Sequence, residues 1–139
     1  MHTEGTLAPD SPEAARDAYD AYGPAARTVV REVTRRMDFD REEYEERVTG
    51  DVVATARDAL FASLLSVTVG TREEFEAWYA EHDDLDLDRH GSETVDHVAW
   101  HVVPFAERVV ATTFQNEEAA AVATLRRICF GSQYREVVE

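Results

Sequence analysis

The sequence predicts an α+β fold, a three-stranded antiparallel sheet that becomes four-stranded if the last residues also form a strand, preceded by an N-terminal helical segment. Three observations predict it. Residues 94–115 (TVDHVAWHVVPFAERVVATTFQ) place two β-branched runs on either side of Pro104-Phe105-Ala106-Glu107, the pattern of a β-hairpin. Elsewhere apolar residues recur at helical spacing. From Leu64 onward the order strand, helix, strand, strand, helix matches most of a split β-α-β unit. Residues 1–10 are read as a flexible N-terminus and 11–139 as a single domain, with 11–62 helical and 63–139 forming the β-α-β-β-α part.

Taken in order, Ser11-Pro12-Glu13 supplies an N-cap, a proline for the first turn and an acid beside it, starting a helix that Gly23 ends. Pro24 opens a second helix to about Met37, with Val29, Val30, Val33 and Met37 as its apolar stripe and Arg27, Arg31 and Arg35 as a basic one. Tyr44, Val48, Val52, Ala56, Ala59 and Leu60 keep one helical phase, so a single helix over about 40–62 is expected, with a kink at Thr49-Gly50 as the alternative. Residues 64–69 are short, apolar and partly β-branched, and lead into Thr71-Arg72-Glu73-Glu74, a capping box that starts a helix carrying Phe75, Trp78 and Tyr79 on one side.

An acidic loop over 83–93 follows, with a short edge strand around 85–88. After the hairpin, Asn116 is expected to cap a last helix lined by Ala119, Val122, Ala123, Leu125 and Ile128, with Gly131 as its C-cap. Residues 134–138 then read as a further helical turn or a short strand. The helices of the second half would lie on one sheet face and the N-terminal helices on the other.

Strand alternation sorts the hairpin into two faces. Val98, Trp100 and Val102 share one; His97, Ala99, His101 and Val103 share the other. An even loop, which Pro104 favours, adds Val109, Ala111 and Thr113 to the first face and Val110, Thr112 and Phe114 to the second. His97, His101, Val110 and Phe114 therefore make a candidate interaction or ligand face, too apolar to stand fully in solvent.

The chain of 139 residues has a net charge of −15, and all 14 of its basic side chains are arginine. Such a surface repels nucleic acid and anionic membranes. Concentrated salt, in which the Debye length falls to about 3 Å at 1 M, would screen it, so a salt-rich cytoplasm is expected. The single cysteine, Cys129, forbids an intramolecular disulfide and agrees with a reducing compartment. No run of about eighteen apolar residues is present and no basic-then-apolar leader opens the sequence.

The segments MHTEG, RVTG, VGTREEFEAW, VDHVAWH, TFQNEE and ATLRR resemble those of an uncharacterised haloarchaeal protein family, a domain of unknown function. The resemblance spans nearly the whole chain and implies a salt-adapted cytosolic origin. It carries over no activity.

No motif specifies chemistry. On a helix His97 and His101 would share a metal, but on a strand four residues separate their backbones by roughly 13 Å. Cys129, between Ile128 and Phe130, reads as a buried thiol. Asp83, Asp84, Asp86 and Asp88 lack the spacing of a calcium loop. A helix-turn-helix made of the second and third helices would turn Glu42, Glu43, Glu45 and Glu46 towards phosphates. No glycine-rich phosphate loop, nucleophile turn or cofactor fingerprint is present. The expectation is a non-catalytic protein that binds a protein partner or a second copy of itself, with no cofactor, metal or catalytic residue assigned. The alternative is a small-ligand or metal-dependent enzyme around His97 and His101. A nucleic-acid-binding regulator is disfavoured.

Overall fold

The computed structural model describes residues 1–37, 40–47 and 50–139. Its strands are β1 (His2–Glu4), β2 (Val67–Thr71), β3 (Asp86–His90), β4 (His97–Val103) and β5 (Arg108–Phe114). They form one mixed sheet in the order β1-β2-β4-β5-β3, in which only the β3–β5 pair is parallel. The helices are α1 (Pro12–Ala21), α2 (Gly23–Arg36), α3 (Arg41–Arg47), α4 (Gly50–Ser63), α5 (Arg72–Ala80), α6 (Glu118–Cys129) and α7 (Arg135–Val138).

The expected antiparallel core is present as β2-β4-β5, the edge strand expected around 85–88 is present as β3, and β1 adds an unexpected strand at the other edge. Both edge strands are compositionally weak, β1 being HTE and β3 DLDRH. An edge strand has a neighbour on one side only, so its sequence need not carry a strong apolar signal. Residues 1–10, expected to lack structure, thus begin with β1. Its pairing is continued by Leu7, whose N–H donates to the Leu64 carbonyl at 2.8 Å and whose carbonyl accepts from Ser66 at 2.8 Å. Because β2 and β3 run parallel with the β4–β5 hairpin between them, β2-α5-β3 is a split β-α-β unit opened by two strands.

The hairpin has the even, four-residue loop: His97 pairs with Phe114, His101 with Val110 and Val103 with Arg108. Residues 104–106 form a 3-10 turn, and Glu107 closes it in the left-handed region at φ 51.

Helices cover both faces of the sheet. Phe75 of α5 lies edge-on to Trp100 at 5.1 Å, and with Val98, Val109 and Ala111 it makes one core. The other face meets Tyr19 of α1, Phe61 of α4 and Val122, Leu125 and Cys129 of α6. The second-half helices were expected together, yet α6 packs with the N-terminal ones. The aromatic side chains of α5 already fill the first face, and the apolar side of α6 is free for the other.

Several helix details also differ from or refine the sequence reading. The expected apolar stripe of α2 is turned out: Gly23, Ala26, Val30 and Thr34 are buried instead of Val29, Val33 and Met37. These buried residues are mostly small, and α2 packs chiefly against α4. α1 stops at Ala21, just before Gly23 as expected, while Gly23 itself opens α2, where a Cβ would stand 2.7 Å from an Arg57 guanidinium nitrogen. At the other end of the chain, α6 begins at Glu118 without a side-chain cap from Asn116. Nor does Gly131 stop α6: a π turn over 130–134 carries it into α7, so residues 134–138 are helical. Of the helix expected over about 40–62, α3 and α4 are described; residues 48–49, where a single helix and a kink at Thr49-Gly50 would differ, lie outside the described residues.

Candidate functional site

The candidate face divides into a closed half and an open half. His101 and Val110 are 1 % and 0 % exposed, covered by the chain's own helices, so those two residues offer no surface to a partner or ligand. The β-branched run that makes β4 a strand also brings helices onto both of its faces, which leaves His101 inside. His97 and Phe114, at the strand ends, are half-buried and stack on each other at 5.4 Å.

His101 is fully partnered. Its Nδ1 lies 2.6 Å from the carbonyl oxygen of Ser66, at the junction of α4 and β2, and its Nε2 lies 2.7 Å from the hydroxyl of Tyr134. A carbonyl can only accept, so Nδ1 carries the proton and Nε2 accepts from the tyrosine. Burial holds the imidazole pKa below its usual value, against the raising effect of the Ser66 carbonyl and with the Arg126 charge as a smaller lowering influence. Burial likewise pushes up the Tyr134 phenol. The π turn explains how Tyr134 arrives: one extra residue per turn re-phases the helix, so that Leu125, Cys129 and Tyr134 all face the core.

This is a satisfied core histidine, with neither nitrogen left for an ion or a substrate. His97 and His101 therefore make no shared metal site. Cys129 is buried too, its thiol pushed up to about 12 by burial first and the Asp88 charge second, which keeps it protonated and inert. Of the acidic run, Asp86 and Asp88 lie in β3, where extended backbone cannot wrap an ion, and Asp88 Oδ2 is 3.1 Å from His90 Nε2.

The open half has more chemistry. A cleft of about 220 Å³ is lined by Thr71, Arg72, Glu73, Asp96 and His97, beside the first turn of α5. The His97 Nδ1 is buried without a hydrogen-bond partner among the described residues. Nothing in the sequence linked this histidine to Glu73, because only the β2–β4 pairing, Thr71 opposite His97, sets the two segments side by side.

A second feature was read in the sequence as an apolar stripe but not as an exposed one. Val29, Val33 and Met37 are 44, 52 and 60 % exposed, an apolar strip on the outer side of α2, and Val52 of α4 is exposed as well. Arg35, of the basic stripe, pairs with Glu32 at 3.2 Å. No helix among the described residues is long and apolar enough to cross a membrane.

Residues 6–135 match a family model described as a family of unknown function, DUF5809. No curated protein and no solved structure matches the chain.

Proposed function

Because the chain belongs to DUF5809, a family of unknown function, we propose from its own surface that it is a non-catalytic module that binds a second copy of itself through α2. The supporting observation is the exposed strip Val29, Val33 and Met37. Its spacing of four residues is self-complementary: two α2 helices laid antiparallel about an axis at Val33 set Val29 of each against Met37 of the other. The same axis brings Glu32 towards Arg36 of the other copy, an opposite-charge pair at the rim. Two-fold contacts of this kind are the commonest in homo-oligomers. With −15 charges per copy, association needs concentrated salt, consistent with reading the protein as salt-adapted and cytosolic.

Sedimentation equilibrium in molar salt tests this. The expected result is a dimer that Val33→Glu converts to a monomer of unchanged thermal midpoint. A wild-type monomer, or a dimer indifferent to the substitution, overturns it.

The cleft beside His97 favours a second reading, a small-ligand site lined by His97 and the Asp96 and Glu73 side chains. A thermal-shift screen of small polar metabolites should then give a response that His97→Ala abolishes.

A further inference from the structure

β1 and the start of α6, from opposite ends of the sequence, bring three ligating side chains to one point. His2 and Glu4 are two apart on a strand and so share a face. Glu118, the first residue of α6, reaches the same place. The Nε2 of His2 lies 3.6 Å from Oε2 of Glu4 and 3.5 Å from Oε2 of Glu118. All three ligating atoms fall within 4.8 Å of one another, and no other such group occurs among the described residues.

The separations from His2 Nε2 to the two carboxylates both fall within ion-pair range, so one imidazole nitrogen is shared by two acids from distant parts of the chain. They also match ligand spacing around an ion: with metal–ligand distances of about 2.1 Å, neighbouring ligands at tetrahedral angles lie about 3.4 Å apart.

We propose that His2, Glu4 and Glu118 bind a divalent first-row transition ion, with zinc the best match. One neutral imidazole and two carboxylates balance its charge, and imidazole selects such ions over magnesium and calcium, which prefer oxygen alone. All three residues are about half exposed, so water completes the coordination shell. The ion ties β1, a three-residue edge strand, to α6. Its role is that of a clip on the amino terminus.

The test uses the full chain with no tag added ahead of Met1, in metal-free buffer at molar salt. Calorimetric titration with zinc should show one ion per chain and a raised thermal midpoint, magnesium should do neither, and cobalt should give the visible absorption of a four-coordinate site. His2→Ala and Glu118→Gln should each weaken zinc binding by roughly tenfold or more while leaving the circular dichroism unchanged. His90→Ala, which removes the His90–Asp88 pair, should bind as the wild type does. Zinc affinity unaffected by the first two substitutions, lost in His90→Ala, or absent up to millimolar ion overturns the proposal.

Discussion

The hydroxyl of Tyr134 donates a hydrogen bond to His101 Nε2 at 2.7 Å, joining the centre of the sheet to the π turn after α6. With Nδ1–H donating to Ser66 at 2.6 Å, both ring nitrogens are satisfied with the imidazole neutral. Tyr134 also lies edge-on to Phe61 at 5.4 Å and Phe105 at 6.0 Å, so its ring is part of the core that its hydroxyl helps to specify.

Tyr134→Phe keeps the ring and removes the donor. An imidazole nitrogen left buried and unpaired costs about 1–3 kcal/mol. Urea unfolding should show that loss in the midpoint with an unchanged slope. A variant as stable as the wild type would mean that the bond contributes nothing net.

His101 should make stability pH-dependent in a defined direction. Its folded pKa is lowered, by burial first, so as the pH falls the unfolded chain takes up the proton before the folded one does. The contribution is therefore full above the unfolded value of about 6.5 and is lost as the pH drops below it towards the folded value. Urea midpoints at about pH 7.5 and pH 5.5 should differ more for the wild type than for His101→Gln; equal differences would contradict this assignment.

Val110→Ala and Phe114→Ala separate a core from an interface. Val110 is fully buried beneath the helices, so its truncation should cost about 1–3 kcal/mol. Phe114, half-buried against His97, should cost less. Light scattering should show an unchanged mass for both variants; dissociation of an oligomer would place a partner on this face.

Glu107 occupies a left-handed backbone conformation at φ 51, which disfavours a side chain by about 1–2 kcal/mol. Glu107→Gly removes that strain but adds freedom to the unfolded chain. The net expectation is a gain of about 0.5–1 kcal/mol, read as a higher thermal midpoint.

The net charge of −15 should destabilise the compact state in dilute buffer. A melt in about 2 M salt should show a higher midpoint than one in about 0.1 M. An unchanged midpoint would remove the basis for salt adaptation.

Local signals were readable where they are self-contained in sequence. The Thr71–Glu74 capping box, with Glu74 N–H donating to Thr71 Oγ1 at 3.1 Å and Thr71 N–H to Glu74 at 2.9 Å, is a contact between residues three apart. The helix start at Ser11 and the even register of the hairpin follow from equally short stretches. The membership of β1 in the sheet does not, and β3 could be read only as a short edge strand without its partner, because each is held mainly by the backbone of a distant strand, and backbone pairing leaves little trace in side-chain composition.

What the sequence by itself determined is the α+β class, the two-sided apolar hairpin at its centre and the acidic surface, since each depends on periodicity or on sums over residues. The tertiary structure alone decided which chemistry is reachable. His101 became a neutral core residue because a π turn delivered Tyr134 to it, while His97 at the end of the same strand kept an unpartnered nitrogen beside a cleft. In the same way α2 turned its small residues inward and its valines outward, and β1 set His2 beside Glu118. Burial and ligand geometry arise from side chains brought together across the fold, and periodicity within one segment carries no record of what lies opposite it.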